Sequence, residues 1–234
     1  PAKQHCMFKK TILIFTFLAI ITTFYGFNAN FTTTVDDAFA LETDDHSLLP
    51  SGAYVISAYD NIIRSVSEKE GHDWRLMSAI AYHESRFTPN IISNRGARGL
   101  MQIMPAVARQ FNVSGDAIID PATNVWLAGQ VINSIAKTFS FPESVSEQDR
   151  MSIILASYNS GVGHVGDARR LATLHGENPN SWTVVARYLQ LKADASYYQK
   201  NVVKCGRFTG SRQTVAFVND VMGCYNKYCR IAVL

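Results

Sequence analysis

Glu84 closes a segment in which Leu76, Met77, Ile80 and Ala81 recur at helical spacing, and a turn-rich loop after it ends in Gly99-Leu100-Met101-Gln102-Ile103-Met104-Pro105. A carboxyl desolvated at the end of an apolar helix keeps its proton, because burial disfavours the charged form. Such a group can protonate a leaving glycosidic oxygen. A glutamate at a helix end is ordinarily solvated, so the neighbours of Glu84 decide its role. Gly99 lets backbone approach a ligand closely, and a lone acid beside such a loop points to sugar chemistry.

Other chemistries fail on spacing. His83-Glu84 begins like a zinc-protease helix, yet Phe87 stands where the second histidine is required. Cysteine and histidine spacing supports no zinc site, so no metal is expected. The string Gly161-Val162-Gly163-His164-Val165-Gly166 matches a dinucleotide fingerprint, but it follows a helical pattern and no acid stands about twenty residues on. No cofactor is expected.

The elements that must position Glu84 read as helices. Residues 49–67 form a first pattern, and Asp73 is placed to cap the helix that ends near residues 85–87. Residues 88–98, with Pro89, Asn90, Ser93, Asn94 and Gly96, are loop. Pro105 opens a short helix to Phe111, and Asp120-Pro121 caps and opens one carrying Val125, Leu127, Ala128, Val131, Ile132 and Ile135. The next starts at Ser144 or Ser146, with Glu147 or Asp149 as capping-box partner, and runs to Tyr158-Asn159. Patterns near 165–174 and 182–191 precede a last helix over about 213–228. Without strand alternation or repeats, the fold class is mainly α.

Four motifs in order carry a family resemblance: Glu84-Ser85; Gly96-Ala97-Arg98-Gly99-Leu100-Met101-Gln102-Ile103-Met104-Pro105; Ser157-Tyr158-Asn159; and Tyr198 with Lys200-Asn201-Val202. In these the chain resembles the lytic transglycosylases of the soluble-murein-transglycosylase (SLT) type, relatives of goose-type lysozyme. The family usually has alanine where Ser157 stands, a one-oxygen change. The resemblance implies a lysozyme-like helical domain with a catalytic groove, Glu84 as the acid, and Ser93, Gln102, Met104, Tyr158, Asn159 and Tyr198 lining the groove. Those residue types suit the task. Gln102 and Asn159 offer amides to N-acetyl and hydroxyl groups, while Met104 and the tyrosines offer apolar faces to pyranose rings. Tyr198 is expected to orient Glu84 through its hydroxyl. The bland alternatives are core filling, which suits Met101 better than Met104, and loop-capping amides for Gln102 and Asn159.

A glycosidase normally needs a second carboxylate, and none accompanies Glu84 in the motifs. Asp116 and Asp120 lie downstream, but Asp120 is the expected cap before Pro121. The family's mechanism removes the need: the substrate's N-acetyl group assists, and the same glutamate, once ionised, takes the proton from the muramyl C6 hydroxyl, giving 1,6-anhydromuramyl ends. The resemblance thus implies cleavage of peptidoglycan between MurNAc and GlcNAc. A lysozyme-type hydrolase and a non-catalytic peptidoglycan-binding protein are the alternatives.

The 234 residues, 47% hydrophobic and 18% charged, suit one main globular domain. A net charge of +3 with scattered basic residues argues against nucleic acid. Lys9 and Lys10 before an apolar run over 11–27 read as a secretory signal, with an uncleaved membrane anchor as the competing reading. The start is placed at Met7, after Cys6. Export to the periplasm or cell envelope is expected, with membrane contact only through that segment, and a monomer is the default. The expected organisation is a signal or anchor over 1–40, a helical lead-in over 41–70, an SLT-type domain over 71–204 and a helical extension over 205–234. Cys205 either bridges to Cys224 or Cys229 or all three remain thiols.

Overall fold

A computed structural model describes residues 55–231; the expected signal or anchor, Cys6 and residues 49–54 of the first helical pattern lie outside the described residues. Among the described residues the first helix is α1 (Asp60–Lys69), and residues 55–59 of the expected pattern are not helical. The Asp60 carboxylate accepts from the amides of Ile56 and Ser57 at 2.7 and 2.9 Å and from the Ser57 hydroxyl, which winds the preceding residues into a turn. Helix α2 (Trp74–Ser85) starts where Asp73 accepts from the Arg75 amide. The cap position expected from sequence is therefore the one used.

Pro105 opens α3 (Pro105–Ala108), which tightens into a 3-10 turn over Arg109–Phe111; a second 3-10 turn covers Gly115–Ile118. Asp120 caps α4 (Pro121–Phe139) through the Thr123 amide. Ser146, not Ser144, caps α5 (Glu147–Ser160): its hydroxyl accepts from the Asp149 amide and donates to the Asp149 carboxylate. There follow α6 (Val162–Leu174), α7 (Trp182–Leu191), the single-turn α8 (Ala195–Tyr198) and α9 (Ser211–Ile231).

Helix α5 is the hub. Every residue over 152–157 is buried, so this stretch presents no solvated face, and α4, α6, α7 and α9 pack around it. Helix α2 lies against α1 and α9. On α9, Thr214, Val218, Val221 and Tyr228 are buried at helical spacing, which turns one stripe inward. Two polar ties fix that helix: the Tyr225 hydroxyl donates to Asp73 at 3.0 Å, and the Thr214 hydroxyl donates to Asn159 at 3.0 Å. The start of α2 and the end of α5 that carries Tyr158 and Asn159 are thereby braced by one element. Among the described residues the protein is helical, with only isolated antiparallel bridges, Ile92 with Arg98 and Arg98 with Ile103.

Cys205, Cys224 and Cys229 are free thiols, so the disulfide alternative is not realised. Cys224 and Cys229 diverge on α9, while the Cys205 sulfur lies against Gly163 of α6.

Candidate active site

Glu84 occupies the last turn of α2, half-buried, and among the described residues nothing donates a hydrogen bond or pairs a charge to it. Burial alone pushes its carboxyl up to about 7. The chain then leaves the helix abruptly. Arg86 and Phe87 take left-handed conformations, with φ of 52° and 58°, a geometry that costs about 1 kcal/mol or more for a residue with a side chain. Contacts around Tyr82 offset that strain: the Arg86 guanidinium lies 4.0 Å over the Tyr82 ring, and the Phe87 ring is 5.9 Å from it. His83 faces α9 instead, meeting the Asp220 backbone, and burial together with Arg86 pushes its pKa down. It serves packing between α2 and α9.

The loop beyond is built from its own polar groups. Ser93 accepts from the Ala97 amide through its hydroxyl, at 3.0 Å, while its amide donates to the Ala97 carbonyl. Arg98 and Ile103 exchange backbone hydrogen bonds and close a tight turn around Gly99 (φ 83°) and Gln102 (φ 49°). Gln102 turns its amide donor back onto the carbonyls of Gly99 and Ile91, at 3.0 and 3.2 Å. It caps the loop with its nitrogen and leaves its oxygen uncommitted. Met101 is 0% exposed and Met104 is 39% exposed, so the first fills the core and the second presents a thioether to solvent.

Tyr158, near the end of α5, donates its hydroxyl to the Met101 carbonyl at 2.7 Å. Burial, with the nearby Glu84 charge, drives its phenol well above its usual range. Tyr158 is therefore the residue that joins the loop to the acid. Asn159 beside it is exposed, and its oxygen accepts from Thr214. Tyr198 sits half-exposed on α8, and its hydroxyl makes no hydrogen bond among the described residues. The phenol with electrostatic reach to Glu84 is Tyr158.

The sequence reading missed Asn124. On α4, fully buried, its oxygen accepts from the Met101 amide at 2.7 Å and its nitrogen donates to the carbonyls of Arg98 and Ile118 at 3.0 and 2.6 Å. A side chain on Gly99 would put its Cβ 2.5 Å from that amide. The only hint in sequence is a polar residue inside an otherwise apolar helical stripe.

A second missed cluster pins the segment after Tyr198. Asp167 of α6, fully buried, accepts from the Lys192 ammonium at 2.7 Å, from the Lys204 and Cys205 amides at 2.7 and 2.9 Å, and from Arg170. Arg170 also donates to the Val202 carbonyl at 2.8 Å. Burial would raise the Asp167 carboxyl, but these donors hold it below the usual carboxylate range.

Comparison with known proteins agrees with this geometry. The Transglycosylase SLT domain family matches residues 61–180, just over half of the chain. The membrane-bound lytic murein transglycosylase F of Shewanella pealeana is 38% identical over 67% of this chain and 31% of its own length. That of Alcanivorax borkumensis is 32% identical over 87% of this chain and 40% of its own length. The chain thus spans about a third of these relatives. An inactive mutant of the lytic transglycosylase Slt from Pseudomonas aeruginosa superposes with a TM-score of 0.51 at 21% identity, over 75% of this chain and 25% of that one, and so shares the fold. With its family-matching segment covering α2, the Gly99 loop and α5, the chain belongs to the SLT transglycosylase domain family.

Proposed function

We propose that this chain is an envelope lytic transglycosylase that cleaves the MurNAc-β-1,4-GlcNAc bond of peptidoglycan and leaves 1,6-anhydromuramyl ends. The observation that carries the reading is Glu84, a half-buried carboxyl without a partner whose pKa of about 7 keeps it substantially protonated at neutral pH. A general acid works best when its pKa lies near the operating pH. The same value lets it accept a proton after the bond has broken, as a single acid-then-base residue must. The two downstream carboxylates offer no substitute: Asp120 is bound to Thr123 as the α4 cap, and Asp116 is exposed in the 3-10 turn. Met104 and Tyr158 supply apolar surface for sugar rings, Ser93, Asn159 and the free Gln102 oxygen supply polar contacts, and Tyr198 completes the far wall of the groove. The names of the relatives, membrane-bound lytic murein transglycosylases, support the same substrate and an envelope location. An N-terminal signal or anchor over 1–40 delivers the domain there.

Digestion of purified peptidoglycan by the full chain tests the proposal. Mass spectrometry is expected to find anhydro-muramyl products, each lighter by one water than the hydrolytic product. Ordinary reducing ends would make the protein a lysozyme-type hydrolase. Glu84→Gln is expected to lower turnover by roughly 10²- to 10⁴-fold; equal turnover would remove Glu84 from the mechanism, and no turnover by either protein would leave a binding module.

A further inference from the structure

The Met101 backbone is held on both sides of its Cα. Its amide donates to Asn124 at 2.7 Å and its carbonyl accepts from Tyr158 at 2.7 Å. Asn124 is fully committed here, since its nitrogen also ties down the carbonyls of Arg98 and Ile118. Gly99 makes this possible, because a Cβ there would overlap the Asn124 amide. A phenol has one proton to give. Given to Met101, it is withheld from the neighbouring carboxyl, and among the described residues no other group donates to Glu84.

We infer that Asn124 is a positioning residue for Glu84: by fixing the Met101 amide it sets the backbone whose next carbonyl accepts the Tyr158 hydrogen bond, and so denies Glu84 a hydrogen bond from that phenol. The consequence for the acid follows from charge. A hydrogen bond donated to a carboxylate stabilises the ionised form, so a freed Tyr158 would draw Glu84 toward ionisation and weaken it as a proton donor at neutral pH. Several polar groups of α1, α9 and the end of α2 are engaged elsewhere. Arg64 of α1 lies over Trp74 at 4.3 Å, Asp220 and Tyr225 of α9 engage His83 and Asp73, and Arg86 covers Tyr82. Tyr158 of α5 has electrostatic reach to Glu84.

The inference rests on Glu84 being the acid of the proposed reaction, but its primary test does not depend on activity. Carbon-13 titration of the Glu84 carboxyl is measured in the full chain and in Asn124→Ala, Tyr158→Phe and the double variant. Wild type is expected to titrate near 7, Asn124→Ala about one pH unit lower, and the double variant close to wild type, because the phenol that moved is gone. With peptidoglycan, Asn124→Ala is expected to lose roughly 10- to 100-fold in kcat with KM little changed, and the high-pH limb of kcat moves down with the titration. A merely structural asparagine would not give a shift that Tyr158→Phe reverses. An unmoved titration in folded Asn124→Ala overturns the inference while leaving the reaction assignment intact. If Asn124→Ala does not fold, Tyr158→Phe decides alone: an unchanged Glu84 supports the inference, and a rise of about one pH unit means the phenol was bonded to Glu84 and overturns it.

Discussion

Two carboxyl groups removed from water meet opposite fates in this molecule. Glu84 at the end of α2 has no donor among the described residues and its pKa is pushed up to about 7. Asp167 at the crossing of α6 and α7 is more deeply buried, yet two side-chain cations and two backbone amides hold it ionised below the usual range. Burial therefore does not decide the charge state; the number of donors does. Asp167 organises structure, since its amide contacts seize the backbone just after Tyr198 and Lys200-Asn201-Val202. Glu84 is left ready to exchange a proton, as a fold that invests its donors elsewhere can arrange.

The hardest way to break this contrast is Asp167→Ala. It strands the fully buried Lys192 ammonium, whose neighbours are then His164 at 3.1 Å and the Arg170 guanidinium. Loss of one partner from a buried ion pair costs about 3–5 kcal/mol, and urea unfolding is expected to show it. The sign with pH is fixed by the depressed pKa. The contribution of Asp167 is fully present above the ordinary carboxylate value of 3.8 and is lost as pH falls through its lower folded value. Wild type should accordingly lose part of its advantage over Asp167→Ala below about pH 4. An equal gap at pH 3 and pH 7 would mean the donors act through packing and not through charge.

Glu84→Gln sharpens the other side. The folded state holds the Glu84 proton up to about 7 while the unfolded chain releases it near 4.5, so stability is fully present below 4.5 and declines as pH rises toward 7. Replacing the acid by its neutral amide removes that decline. Thermal unfolding is expected to place Glu84→Gln about 3 kcal/mol above wild type at pH 8 and level with it at pH 4. A variant that loses turnover while gaining stability identifies a group held in an unfavourable state for chemistry. Equal stability at both values would mean that water reaches Glu84 freely.

The sequence made the unpaired carboxyl visible and hid the paired one, for a physical reason. Helix caps and periodicity are local, so Asp73, Asp120 and the 182–191 helix are read directly, and the two serine candidates before α5, Ser144 and Ser146, differ by only two positions. The Gly99 loop was recognisable as a motif, but the inward turn of the Gln102 amide depends on left-handed backbone at Gly99 and Gln102. Asn124 reaches Met101 across 23 residues, and apart from Arg170 three positions on, Asp167 gathers its donors from 25 to 38 residues away. Such partners are set by tertiary packing, which no local pattern encodes. The single turn of α8 is likewise too short for periodicity to register.

A third carboxylate tests whether the donor rule is graded. Asp73 sits at the opposite end of α2 from Glu84, partly exposed, accepting from the Arg75 amide and guanidinium and from Tyr225 of α9. Partial burial pushes its pKa up, but the donors prevail and hold it low. Tyr225→Phe removes one donor of several without opening a cavity, so it should cost only about 1 kcal/mol. The Asp73 carboxyl should titrate slightly higher while remaining below its ordinary value. Carboxyl titration with urea unfolding checks both, and the acid limb of stability should move up in pH by the same small amount, because a depressed carboxyl protects the fold until it is protonated. A loss as large as that for Asp167→Ala would show that α9 holds the Glu84 helix through this one hydroxyl, and that number of donors matters less than which element supplies them.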